Sequence, residues 1–127
     1  MKLDKNVLVL AYLGDSVFEI MIRKYLIDQG INKVKTLQKE AIKYVSAKGQ
    51  CSFVTKLIEE NKLSSEELEI FYRGRNHKSN SHPKNTDIIT YKYATGFEAI
   101  IGYLYLKNDY KRIEEIGELL CTYMVKM

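Results

Sequence analysis

Proline occurs once in this 127-residue chain, cysteine twice and histidine twice. The single proline, Pro83, leaves long stretches free of the residue that breaks a helix interior. Cys51 and Cys121 are the only cysteines, and no C-x-x-C or His/Cys cluster accompanies them. The two can pair in principle, but two buried free thiols are the expectation. His77 and His82 lack partners at ligand spacing, which argues against zinc. No apolar run reaches membrane length uncharged: residues 7–22 read VLVLAYLGDSVFEIMI and contain Asp15 and Glu19. The start, MKLDKN, lacks a leader's cleavage motif, so that run is neither a signal segment nor a span. The chain is expected to be cytoplasmic, with no membrane partner. Strand-period alternation and internal repeats are missing as well.

What is present fits a folded globule. Hydrophobic residues make up 46% of the chain, too many for a disordered tail. The length suits one domain, residues 1–127, with a real core and no room for a second module. The net charge of +4 is modest, but it is unevenly placed. Residues 73–93 carry Arg73, Arg75, Lys78, Lys84 and Lys92 against Asp87 alone, while the flanking segments nearly balance. Clustered Lys and Arg beside phosphates release counterions, so a locally bound polyanion is implied.

The helical signals are clear. Asp4 can cap a first helix running to about residue 29, with Gly30 as its stop. Asn32 can cap a second, over about 34–47, with Leu37, Ala41, Tyr44 and Val45 on one face. A third is expected over about 51–60, burying Phe53, Val54, Leu57 and Ile58. Ser64 followed by Glu67 is a capping box opening a fourth that ends near Tyr72 or Arg73. Residues 74–85, GRNHKSNSHPKN, hold no aliphatic side chain and predict a long polar loop. Loops of that length in small domains are commonly functional. The helical pattern resumes near 86–90, where Asp87 suits a cap, and continues to about 106. A last helix reaches about 125, with Ile113, Ile116, Leu119, Leu120 and Tyr123 facing inward. The predicted fold class is all-α.

Two acids do not fit an apolar helix. Asp15 stands in AYLGDSV, and Glu98 stands in ATGFEAIIG. A carboxylate unpaired in a core costs several kcal/mol or more, so a cation, a set of donors or solvent in a cleft must compensate it. One reading is a hard divalent metal site, since Mg²⁺ takes oxygen ligands and keeps several waters. The other is structural acids bonded to backbone donors or a core lysine. Glu19, one turn after Asp15, suits either a salt bridge with Arg23 or an outer-shell role.

LGDSV, then FYRGRNHKSNSHPKNTDIITYKY, then ATGFEAIIGYLYL, in that order and separation, resemble the catalytic domain of the ribonuclease III family. The likeness extends over nearly the whole chain. Longer members carry a Glu four residues before the signature Asp and an Asp three residues before the later Glu; here those positions are Ala11 and Thr95. The same thinning characterises the Mini subgroup, which has no double-stranded-RNA-binding domain, and this is the narrower resemblance.

That resemblance implies an all-α endonuclease fold and metal-dependent hydrolysis of double-stranded RNA. Its ligands would be Asp15 and Glu98, with Mg²⁺ as cofactor and Mn²⁺ as a substitute. It implies 5′-phosphate and 3′-hydroxyl ends with short 3′ overhangs. It also implies maturation of the ends of large-subunit (23S) ribosomal RNA precursor, with a ribosomal protein as a candidate for presenting the stem. Arg73, Arg75, Asn76, Lys78, Lys84 and Asn85 are the expected RNA contacts, suited to phosphates and 2′-hydroxyls. Tyr12 takes the place of the aromatic that docks into the partner of a two-fold dimer. The alternative is a non-catalytic, RNA-binding or ribosome-associated relative, which the residues at 11 and 95 make conceivable.

Overall fold

Local capping chemistry sets the helix starts in the computed structural model, which describes residues 6–78 and 87–125. The elements are α1 (Val7–Asp28), α2 (Val34–Val45), α3 (Ala47–Glu59), α4 (Ser65–Arg75), α5 (Ile88–Leu106) and α6 (Tyr110–Val125), with no strand among the described residues. The all-α expectation holds. Asn6 caps α1, its Oδ1 accepting from the Leu8 amide at 2.9 Å; Asp4, the predicted cap, lies outside the described residues. Ser64 and Glu67 form the predicted capping box on α4. Asp87 caps α5, accepting from the amide and hydroxyl of Thr90 at 2.9 and 2.7 Å.

Three boundaries differ from expectation. Lys33, not Asn32, occupies the cap position of α2, and no side chain bonds there. The second helix stops at Val45 because Ser46 adopts an extended backbone and turns its hydroxyl to the Gly49 amide at 3.1 Å. That bond opens α3 four residues earlier than predicted. Gly49 permits the sharp junction, since a Cβ there would meet the Lys43 carbonyl oxygen at 2.4 Å. At the far end of α4, Gly74 and Arg75 are helical rather than looped. A Cβ on Gly74 would stand 2.8 Å from the Gly96 Cα, so this helix end is held by close backbone packing on α5.

Helix α5 is the axis about which α1, α3 and α4 gather. Every residue from 94 to 104 is buried except Glu98. Phe18, Phe53 and Phe97 meet edge to face at its centre, with Phe18–Phe97 centroids 4.9 Å apart. Arg112 of α6 grips Glu67, which is almost wholly buried, through two bonds of 2.8 Å, and also reaches the Lys62 carbonyl at 2.7 Å. Burial pushes the Glu67 carboxyl up, but bonds from Arg112 and Ser64 outweigh it and hold the group below its ordinary value. Ile113, Ile116, Leu120 and Tyr123 face the core as predicted, while Leu119 is half-buried. Cys51 and Cys121 are free and half-buried rather than fully buried. Among the described residues no helix is long and apolar enough to cross a membrane.

Candidate functional site

Glycine decides how near α1 and α5 can come. A Cβ on Gly14 would lie 1.8 Å from the Glu98 carbonyl oxygen, and one on Gly102 would lie 1.9 Å from that of Leu10. No side chain fits at either crossing point, so the two backbones touch. Asp15 follows Gly14 on α1, and this contact brings its carboxyl within hydrogen-bonding reach of Glu98. The two acids that stand 83 positions apart in sequence are thereby one pair.

Their environments differ. Glu98 is half-buried, the one interruption in the buried stretch of α5, whereas Asp15 is exposed. This corrects the expectation that Asp15 sits in an apolar core. The apolar residues of α1 fall on two faces, one packed inward through Leu10, Gly14, Phe18 and Ile22, the other outward. Asp15 lies between them, and solvent compensates its charge. Burial first, and then the bond and charge of Asp15, push the Glu98 carboxyl from 4.5 up to about 8, against a smaller opposing effect of Gln50. Two carboxyls this close cannot both be charged without cost. A divalent cation would relieve that cost.

Gln50 completes the inner side. It is 2% exposed. Its Nε2 donates to Glu98 Oε2 at 3.2 Å and to the Val45 carbonyl at 3.0 Å. Its Oε1 is buried and has no hydrogen-bond partner among the described residues. An unmet buried acceptor costs about 1–3 kcal/mol. Sequence reasoning missed Gln50 because it left residues 48–50 between two helices. The available signal was Ser46 followed three residues later by Gly49, a cap that adds a turn to α3.

The donor set suits Mg²⁺. Among the described residues no cluster of three or more His, Cys, Asp or Glu gathers to cage a metal. Mg²⁺ does not need one, being held by one or two carboxylates together with waters and substrate phosphate. Glu19 is not drawn into the pair; it accepts from Arg23 Nε at 3.3 Å on the surface of α1.

The basic residues assemble differently from prediction. Arg73 and Arg75 belong to the last turn of α4, Asn76 is its C-cap, and Lys78 is exposed beyond it. Lys84 and Asn85 lie outside the described residues. Arg75 stacks over Tyr72 at 4.9 Å and Tyr93 at 5.9 Å from the ring centroids, and its Nε donates to Asn76 Oδ1 at 3.1 Å. Arg75, Asn76, Ile89, Lys92 and Tyr93 line one open hollow of about 270 Å³. Lys92, counted in the basic segment, was not among the expected RNA contacts, and Tyr93, next to a helix, reads as a packing residue. Tyr93 does pack, edge to face on Phe71 at 5.4 Å, while also flooring the arginine. Tyr12 is 82% exposed and shares an outward stripe of α1 with Val9, Ile20 and Ile27.

Comparison with known proteins places the chain in one family. The sequence profile of the Ribonuclease III domain matches residues 8–109. The chain is similar to the Mini-ribonuclease 3 of Brevibacillus brevis, 50% identical over 111 residues, covering 87% of this chain and 81% of that protein. It is similar to that of Clostridium tetani, 47% identical over 116 residues, covering 91% and 76%. The crystal structure of a Fusobacterium nucleatum protein superposes with a TM-score of 0.83 at 36% identity, covering 96% of both chains.

Proposed function

The chain belongs to the ribonuclease III family and is an RNA endonuclease of that type, and from this premise we propose that it cleaves double-stranded RNA with a divalent cation held by Asp15 and Glu98. The observation that carries the reading is the meeting of those two carboxyls across the α1–α5 glycine contact. Bound there, Mg²⁺ or Mn²⁺ would polarise the scissile phosphate and lower the pKa of an attacking water. Glu98 is gripped from inside by Gln50, and Asp15 faces solvent, the side from which a duplex arrives. The hollow around Arg75, with Lys92, Asn76 and Lys78 beside it, offers donors to backbone phosphates. Arg73 adds charge to the same end of α4, and Lys84 and Asn85, outside the described residues, are proposed as further RNA contacts from the sequence alone.

A two-fold homodimer completes the reading. One pair of carboxyls serves one strand, so cutting both strands in one encounter needs two copies. Val9, Tyr12 and Ile20 are 51%, 82% and 67% exposed on one stripe of α1, an apolar surface that pairing would cover. The proposed substrate is a structured stem of the large-subunit (23S) ribosomal RNA precursor in the cytoplasm, the role implied by likeness to the Mini-ribonuclease 3 proteins. A ribosomal protein that presents the stem is a proposed partner.

The test is direct. Wild type should cut a long RNA duplex with Mg²⁺ and not with chelator, leaving 5′-phosphates. Asp15→Asn and Glu98→Gln should each lower cleavage by orders of magnitude while retaining duplex binding, and the double variant should be little worse than either. Near-normal Mg²⁺-dependent cleavage by Asp15→Asn would sink the assignment. For assembly, Tyr12→Glu should sediment as a monomer and lose cleavage; a fully active monomeric wild type would refute the dimer.

A further inference from the structure

Gln50 sits where an apolar side chain of similar length would fill the same space. It is nearly inaccessible, packed at the first turn of α3, with Phe53 and Val54 of the core one turn on. Both hydrogens of its amide nitrogen are spent, one on the Val45 carbonyl and one on Glu98 Oε2. The orientation is not interchangeable. Turning the amide over would set Oε1 against the Val45 carbonyl oxygen, acceptor against acceptor. The nitrogen is therefore fixed towards Glu98, and the oxygen is left buried without a donor among the described residues. The side chain's polarity earns nothing for the core; what it supplies is one directed bond to Glu98.

That bond has a defined anchorage. Val45 is the last residue of α2 and Gln50 lies in the first turn of α3, so the amide spans the Ser46 junction and ties it to α5. One oxygen of Glu98 is thereby held from within, while Asp15 approaches on the solvent side. Resting on the reading of Asp15 and Glu98 as the cation's ligands, we propose that Gln50 is the positioning residue of this centre: it fixes the Glu98 carboxylate in the orientation that receives the cation. Partners of this kind around a metal ligand commonly account for 10–100-fold in metal affinity or activity. Gln50 touches neither RNA nor the reacting atoms and acts through Glu98.

The experiment measures binding of Mn²⁺ alone, by electron paramagnetic resonance, to wild type, Asp15→Asn, Gln50→Met and Gln50→Asn. Methionine keeps length and volume without the donor; asparagine keeps a buried amide one methylene too short to reach both acceptors. Thermal melts in chelator accompany every sample. Gln50→Met should melt close to wild type yet bind Mn²⁺ about tenfold more weakly or worse. With duplex RNA its kcat should fall with KM for RNA unchanged, and raised Mn²⁺ should restore the rate. A purely structural glutamine would move the melt and leave the Mn²⁺ affinity alone. If methionine prevents folding, the asparagine variant carries the same expectation. Mn²⁺ affinity within twofold of wild type in a folded Gln50 variant, with binding lost in Asp15→Asn, overturns the role of Gln50 and spares the metal pair. If instead Asp15→Asn binds Mn²⁺ as wild type does, the pair itself is misassigned and the proposal falls with it.

Discussion

At the scale of single residues, the proposed site is a carboxyl pair whose charge is managed by position. The ordinary glutamate value is 4.5, and Glu98 in the folded protein is pushed up to about 8, chiefly by burial and then by Asp15. The native state thus keeps a proton that the unfolded chain gives up near 4.5. Its contribution to stability is complete below that pH and is lost as the pH rises through about 8. Cation-free protein should therefore melt at progressively lower temperature from pH 5 to pH 8.5, by an amount worth a few kcal/mol at most. Glu98→Gln should flatten that decline, because the amide has no proton to lose while its oxygen still accepts from Gln50. Calorimetry in chelator checks both. An unchanged slope in Glu98→Gln would assign the pH dependence to other groups. Adding Mn²⁺ should oppose the decline, since a cation takes the place of the missing proton.

At the scale of elements, the decisive feature is the bare contact of α1 with α5. A methyl group on Gly14 has no space, standing 1.8 Å from a backbone oxygen that cannot turn aside. Gly14→Ala should cost roughly 3 kcal/mol, the upper part of the usual range for overpacking. It should also weaken Mn²⁺ binding, because the helices that carry the two acids must separate. Gly117 provides the control. A methyl there meets only the flexible end of Met21 at 3.4 Å, so Gly117→Ala should be neutral or stabilising by up to about 1 kcal/mol through helix propensity. Urea unfolding of both variants reads the difference. Equal midpoints would mean that the α1–α5 crossing is not the constraint the geometry makes it.

At the scale of the whole molecule, the excess of positive charge is concentrated in one segment. The net charge of +4 matches the excess carried by residues 73–93, and the described part of that segment gathers Arg75, Asn76, Lys92 and Tyr93 around one hollow. Neutralising Arg73, Arg75, Lys78 or Lys84 should weaken binding to every RNA duplex alike and lower the salt slope by about one unit per lost contact. Cleavage at saturating RNA should fall much less than affinity. Arg75 needs a melt beside the binding assay, because its stacking between Tyr72 and Tyr93 supports the end of α4 as well. Unchanged affinity and salt slope in all four variants would move the RNA surface elsewhere.

Helix content, the capping box at Ser64, the cap at Asp87, the inward face of α6 and the two singular acids were all legible in the sequence. Each depends on neighbours within a turn or two, where spacing and side-chain chemistry act without the rest of the chain. The local rules failed where tertiary packing intervened. Gly74 reads as a loop residue but is helical, because Gly96 leaves α4 a seat with no room for a side chain. Asp15 reads as buried but is exposed, because the apolar residues of α1 divide between a packed face and an outward one. Gln50 carried little signal at all, since its partners, Val45 and Glu98, converge only when the Ser46 junction folds against α5. The sequence by itself determined which acids stand out on apolar helices, and the family resemblance named them together. The tertiary structure alone decided how they meet, since no periodicity encodes the crossing of two helices at glycines 88 positions apart.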